Sequence, residues 1–280
     1  MKNSKTIYLM GGFGNVLFQI NYGYFLMSRG YKVKFATILI SSNKMINKIL
    51  GWSDHGTLGT IKTLGLDNKV EMIDGSITSL AIFFISKVIK KPFNSHCYNG
   101  IYREESIEDQ CSALLGYYHL DIPISDKFKS DIVSLLENYI DNKDAVFLEK
   151  IKKLGTAQLV HYRAGDYLSK ECKKNLIPDQ YFSQVLNNCK KKYLVSNDDK
   201  YSLKYLHSLI DDKIESISNE TALDDFILIM CSSNLVLSNS TFSWWASELS
   251  NAKKIYQPDP FFSNLEWNPK TGKNRIKVKT

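Results

Sequence analysis

Short apolar segments alternate with helical segments along this chain, and few folds accept that order. Residues 7–10 read as a strand, 11–15 as a tight turn and 16–29 as a helix. Within that helix Val16, Ile20, Phe25 and Met27 suggest an apolar face. Gly30 ends it, and residues 31–35 alternate like a second strand. This is one βαβ unit. The stretch from 41 to 99 is less patterned and has room for several helices.

The rhythm returns at residue 157. Residues 157–162, 192–195, 213–217, 234–237 and 254–256 read as strands. Between them lie a helix opened by Pro178 and Asp179 and running to 188, one ending at 209, and helices over 223–231 and 240–249. Such alternation predicts an α/β chain with helices on both faces of parallel sheets, here two Rossmann-like halves. The lysine-rich stretch 142–155, with Gly155, is the expected join, giving domains of 1–148 and 149–280.

A length of 280 residues suits two modest domains, and 44% hydrophobic with 23% charged residues suits an ordinary core. The net charge of +7 favours anionic partners. The lysines are scattered and form no recognisable nucleic-acid motif, so nucleic acid is not an expected partner. Five cysteines without a C-x-x-C spacing argue against a disulfide framework or a zinc site, and suggest reduced thiols in a cytoplasmic protein. The N-terminal apolar run is too short for a signal segment. Residues 80–89 make half a membrane span and are flanked by Lys87, Lys90 and Lys91. They read either as a segment resting on a membrane surface or, preferably, as a buried helix.

Ligands in sheets of this kind bind beyond the carboxyl ends of the strands, and three loops there are chemically loaded. Gly11-Gly12-Phe13-Gly14-Asn15 lets backbone approach a ligand, and N–H groups at a helix start favour negative charge. Asn15 reads as a ligand contact or as a cap. The turn lacks the third glycine of a dinucleotide fingerprint, since Leu17 stands there, which excludes a dehydrogenase reading. His161-Tyr162-Arg163-Ala164-Gly165-Asp166-Tyr167 places an arginine at a strand end, where its fork suits phosphate. His161 reads as a ligand contact or a core histidine; Asp166 as the partner of Arg163 or a general base. Ser238-Asn239-Ser240-Thr241-Phe242-Ser243-Trp244-Trp245-Ala246 sets hydroxyls at a helix start. Trp244 and Trp245 read as packing. Asn197-Asp198-Asp199 reads as a helix start in preference to a divalent-ion site.

Taken together, Gly11–Gln19 in the pattern GG-x-GN-x-LFQ, His161–Tyr167 and Asn239–Ala246 resemble the α-1,2-fucosyltransferase family of the bacterial polysaccharide type. Weaker echoes are Leu115-Gly116-Tyr117-Tyr118-His119, Pro178 to Phe182, and Ser196 to Asp199. The resemblance spans nearly the whole chain. It implies a GT-B-like fold whose two Rossmann-like domains face a cleft, the N-terminal one for the acceptor and the C-terminal one for a GDP-sugar. It implies inversion, no required metal, and α-1,2 transfer of L-fucose from GDP-L-fucose to a galactosyl hydroxyl.

By match of motif, Arg163 would grip the diphosphate beside His161. Asn239, Ser240, Thr241 and Phe242 would line the donor pocket, with Asp225 near the guanine or ribose. Gly12, Gly14 and Asn15 would approach the phosphates or the reacting centre. Asp166 is the candidate base, with Glu104 and Glu105 as others. The family motif H-x-RRGDY has a second arginine where this chain has Ala164. That departure leaves a weaker enzyme, another GDP-6-deoxyhexose such as GDP-colitose, or an inactive GDP-sugar binder open. The acceptor is expected to be an oligosaccharide or lipid-linked glycan, and the protein cytoplasmic and peripheral on the inner membrane.

Overall fold

A computed structural model describes residues 4–41, 56–89, 94–100, 111–118, 122–164, 168, 176–186, 191–261 and 274–280. The chain divides into two compact units, 1–137 and 138–280. The first holds strands β1 (Ser4–Tyr8), β2 (Lys32–Ala36), β3 (Met72–Ile73), β4 (His96–Gly100) and β5 (Ala113–Gly116). They form one parallel sheet in the order β3-β2-β1-β5-β4. Its helices are α1 (Phe13–Ser28), α2 (Thr57–Leu64) and α3 (Ile77–Ile89), and α4 (Asp126–Asp141) carries the chain across the division.

Helix α1 is buried at twelve of its sixteen positions, so it is a central element and not a surface helix with one apolar stripe. Val16 and Ile20 are fully buried as expected, whereas Met27 is 37% exposed and lies off the core. Close packing of α1 on β2 depends on Gly23, where an added Cβ would fall 2.2 Å from the Phe35 ring.

The second unit holds β6 (Gln158–Tyr162), β7 (Lys192–Ser196), β8 (Ile214–Ser216), β9 (Asn234–Val236), β10 (Lys254–Asp259) and β11 (Arg275–Lys279). Its helices are α5 (Ala145–Leu154), α6 (Asp179–Leu186), α7 (Asp199–Leu209), α8 (Ala222–Cys231) and α9 (Thr241–Glu248). All six strands run parallel in the order β11-β10-β9-β6-β7-β8. Counted from β6, this is the doubly wound nucleotide-binding order, with the direction of winding reversing between β6 and β9. Val160, Tyr162, Tyr181, Phe182, Leu194, Leu206 and Val236 form much of one core cluster. The Tyr181 hydroxyl lies 2.9 Å from the Leu237 and Tyr256 carbonyl oxygens, tying the loop after β9 to β10.

The α/β class and the two parallel Rossmann-like sheets are those expected from the sequence. Three local readings are corrected. The stretch 142–155 contains α5, capped by Asp144, whose Oδ1 accepts from the Phe147 N–H at 2.8 Å. That helix buries Phe147 and Leu154 and exposes Lys152 and Lys153, while the half-buried Lys150 Nζ lies 2.6 Å from Asn219 Oδ1. The division between units falls at 137/138, inside α4. The segment 80–89 belongs to α3, which buries Phe83 but leaves Phe84 66% and Val88 64% exposed, so it is not a wholly buried helix. The sheet does not end with β10, because β11 pairs alongside it. Among the described residues Cys111 and Cys231 are free thiols, and no helix is long and apolar enough to cross a membrane.

Candidate active site

The loops after β6 and β9 flank the reversal of winding, and one buried hydrogen bond ties the end of β6 to the loop after β9. His161 Nδ1 lies 2.8 Å from Ser238 Oγ, across 77 residues of sequence. Burial, and then the positive charge of Arg163, push the imidazole pKa down to about 3, so His161 is neutral at physiological pH. Its ring lies 5.9 Å from that of Phe242, which meets Phe226 edge-on at 5.2 Å. Arg163 follows β6 directly and is half-buried. Asn239 and Ser240 are buried, while Thr241 and Phe242 are half-buried on the first turn of α9. Ser240 starts α9 in extended backbone conformation with no side-chain capping bond. The first turn of a helix holds N–H groups outside the helical ladder and favours negative charge. A half-buried guanidinium, a neutral imidazole and a hydroxyl-rich helix start therefore stand on neighbouring strand ends. That combination suits a phosphorylated ligand.

The adjacent aspartates of α8 differ. Asp224 pairs with Lys143 at 2.7 Å and accepts from the Tyr139 hydroxyl at 3.2 Å, so it is structural. Asp225 Oδ1 accepts from the Asn219 backbone N–H at 2.7 Å and side-chain amide at 3.1 Å. Burial, with the charges of Asp199 and Asp224, raises the Asp225 pKa to about 7 against these bonds. A carboxyl so perturbed near a strand end is a candidate ligand group.

Asp225→Asn should raise stability at pH 7. The folded pKa lies above the unfolded one, so wild-type stability attributable to Asp225 falls as pH rises from about 4 to 7, by at most about 1.4 kcal/mol per unit. His161 contributes the opposite slope, because its folded pKa is depressed and stability falls as pH drops below about 6.5. The difference between wild-type and Asp225→Asn melting temperatures across pH 4–8 isolates the Asp225 contribution. A flat difference would refute the assignment.

Each member of the 197–199 segment has a structural bond. Asn197 Oδ1 accepts from the Ala164 N–H at 2.9 Å. Asp198 caps α7, accepting from Tyr201 N–H at 3.1 Å. Asp199 accepts from the hydroxyls of Ser216 at 2.7 Å and Ser218 at 2.6 Å. The helix-start reading is the one observed. Among the described residues no group of three or more His, Cys, Asp or Glu gathers as a metal site would. Ala164 is fully buried in the core cluster of the second unit. Trp244 and Trp245 are both buried, rings edge-on at 5.2 Å, with the Arg275 guanidinium over Trp244.

In the first unit the glycine that the turn requires is Gly11, at φ +80°, where a Cβ would lie 2.7 Å from Asn15 Nδ2. Gly12 caps α1 and has open space beside it, whereas Gly14 is buried inside α1. Asn15 is half-buried in the first turn. Gln19, read from the sequence only as part of the motif, is a buried brace. Its Oε1 accepts from Met10 N–H at 3.0 Å, and its Nε2 donates to the Gly116 carbonyl at 2.8 Å. An amide within the apolar run Val16–Ile20 is the signal for it. Ser238 was likewise quoted without a role. Asp166, Glu104, Glu105 and His119 lie outside the described residues.

The profile described as "Glycosyl transferase family 11" matches residues 2–274. The chain belongs to that family of glycosyltransferases. It is 22% identical over 281 residues to an alpha-1,2-colitosyltransferase from Escherichia coli, covering 93% of each chain. Among solved structures it is similar to the E. coli heptosyltransferase WaaC with ADP, at 9% identity and TM-score 0.45, covering 100% of this chain and 93% of that one. It is also similar to the NodZ alpha-1,6-fucosyltransferase soaked with GDP-fucose, at 13% identity and TM-score 0.38, covering 91% and 94%.

Proposed function

We propose that this protein transfers a 6-deoxyhexose from a GDP-sugar to a sugar hydroxyl with inversion, in an α-1,2 linkage, during synthesis of a bacterial surface polysaccharide. The observation that carries the reading is the His161–Ser238 bond, which ties the end of β6, where Arg163 follows, to the loop that leads into α9 at the reversal of winding. In the reaction an acceptor hydroxyl attacks the anomeric carbon, the bond to the β-phosphate oxygen breaks, and negative charge moves onto the diphosphate. Arg163 and the N–H groups of the Ser240–Phe242 turn stabilise that charge. His161, being neutral, donates or accepts a hydrogen bond without adding charge. Asp225 takes the guanine or ribose, and Asn239 and Phe242 shape the donor pocket. Asp166 removes the hydroxyl proton, and no metal is required.

Two donors compete. GDP-L-fucose follows from the motifs; GDP-L-colitose is favoured by the name of the relative that is similar over 93% of the chain. The acceptor is a galactosyl unit of an oligosaccharide or lipid-linked glycan. Release of GDP by the purified protein, with each donor, a panel of β-galactosyl disaccharides and EDTA, tests the reading. Acceptor-dependent release with one donor, unchanged by EDTA, is expected. Tight GDP binding with no turnover on either donor would instead make the chain a GDP-sugar binder.

A further inference from the structure

Helix α3 presents apolar side chains in two directions. Phe83 points inward, 2% exposed and edge-on to Tyr8 at 5.0 Å. Leu80 packs against the same cluster, which includes Met10, Ile38 and Leu115. On the other side Ile77 is 65%, Phe84 66%, Ile85 40% and Val88 64% exposed. With the exposed Ala81, positions 77, 81, 84 and 88 fall at intervals of four, three and four, a single stripe along a helix. Of the eight large hydrophobics exposed among the described residues, four lie on this one helix, so they form a patch and not a scatter.

A helix apolar on both faces belongs in a core, yet α3 keeps one face in solvent. Thirteen residues reach about 20 Å, short of the roughly 30 Å of a bilayer's hydrocarbon. The face can therefore lie on a membrane and cannot cross it. The charge pattern selects the membrane. The helix carries no acidic residue, Lys87 stands exposed in its last turn, and Lys90 and Lys91 follow in sequence. An apolar stripe that ends at the exposed Lys87, with Lys90 and Lys91 next in sequence on a chain of net charge +7, complements an anionic lipid surface. A second copy is a poorer occupant. The four side chains expose on the order of 400–500 Å², about half of what each partner of a stable complex buries.

We propose that α3 is a membrane-docking face: Ile77, Phe84, Ile85 and Val88 enter the headgroup boundary of an anionic bilayer, with Lys87 at headgroup level. This does not depend on the transferase reading.

Sedimentation of the full chain with vesicles of phosphatidylcholine, with or without phosphatidylglycerol, tests it. The protein should bind the anionic vesicles. Phe84→Glu with Val88→Glu should weaken that binding by about tenfold or more, leaving GDP binding and melting temperature unchanged. Should that double variant fold poorly, Ile77→Ser at the exposed start of the helix interrogates the same face with a smaller, same-direction loss. Three results would overturn the proposal: wild-type protein left in the supernatant with both vesicle types, variants that sediment like wild type, or a wild-type dimer in solution that the same substitutions dissolve. Vesicle binding is measured without donor or acceptor, so its failure and a failure of the transferase reading are told apart.

Discussion

Replacing Arg163 by alanine should lower kcat by about 10²–10³, close to 3–4 kcal/mol of transition-state stabilisation, while leaving the fold intact. The guanidinium stands just past the end of β6, close enough to His161 for its charge to depress that imidazole. In the proposed reaction the sugar–phosphate bond breaks with charge flowing onto the diphosphate, so a fixed cation there would gain most at the transition state. Arg163 is half-buried and lies outside the strand ladder, so truncation should not disturb the core, and the melting temperature should move little. Arg163→Lys should recover part of the rate, because charge returns without the two-pronged geometry. Steady-state GDP release, beside a melt of each variant, separates the two effects. Unchanged kcat in a folded Arg163→Ala protein would remove this residue from the mechanism.

Much of this arrangement could be read before any coordinates. Apolar runs closed by glycine or by hydroxyl-rich loops identified β1, β6, β7 and β9, because the period-two and period-3.6 patterns of buried elements are long enough there to be distinct. The two-residue β3 carries too few residues to show a period, and the five-residue edge strand β11 has no buried apolar position to mark it. The lysines of α5 masked a helix whose buried side rests on Phe147 and Leu154. Periodicity also could not say which side of α3 meets the core, since both sides are apolar.

Within the site, residue types were legible and partnerships were not. Only the sheet order brings Ser238 to His161 across 77 residues. Nothing in the dipeptide Asp224-Asp225 tells which carboxylate faces Lys143 and which is raised to about 7. Gly11 rather than Gly14 carries the positive φ of the first turn, a distinction that three glycines in five residues conceal.

The same limit governs Ala164, where the family pattern has its second arginine. In this chain the methyl group is fully buried, clustered with Tyr162, Ile177, Tyr181 and Phe182, and its N–H donates to Asn197 Oδ1 at 2.9 Å. Restoring the pattern with Ala164→Arg should therefore harm the protein. An arginine there must either overpack the cluster or carry its charge into it, for a destabilisation of about 3 kcal/mol or more. In a chain of this size that lowers the melting temperature by about 5–10 °C. Turnover per folded molecule should not rise. Ala164→Ser, close in volume, should cost far less, because its hydroxyl can find a partner in the adjoining backbone. Thermal melts of both variants, with GDP-release rates corrected for the folded fraction, decide the matter. A stable Ala164→Arg protein with tighter donor binding would mean that position 164 turns toward the ligand. The loss of the second arginine would then be a change in the donor site. If the variant melts as expected, the loss is a repacked core beneath an intact Arg163, and differences in donor must be sought in other residues.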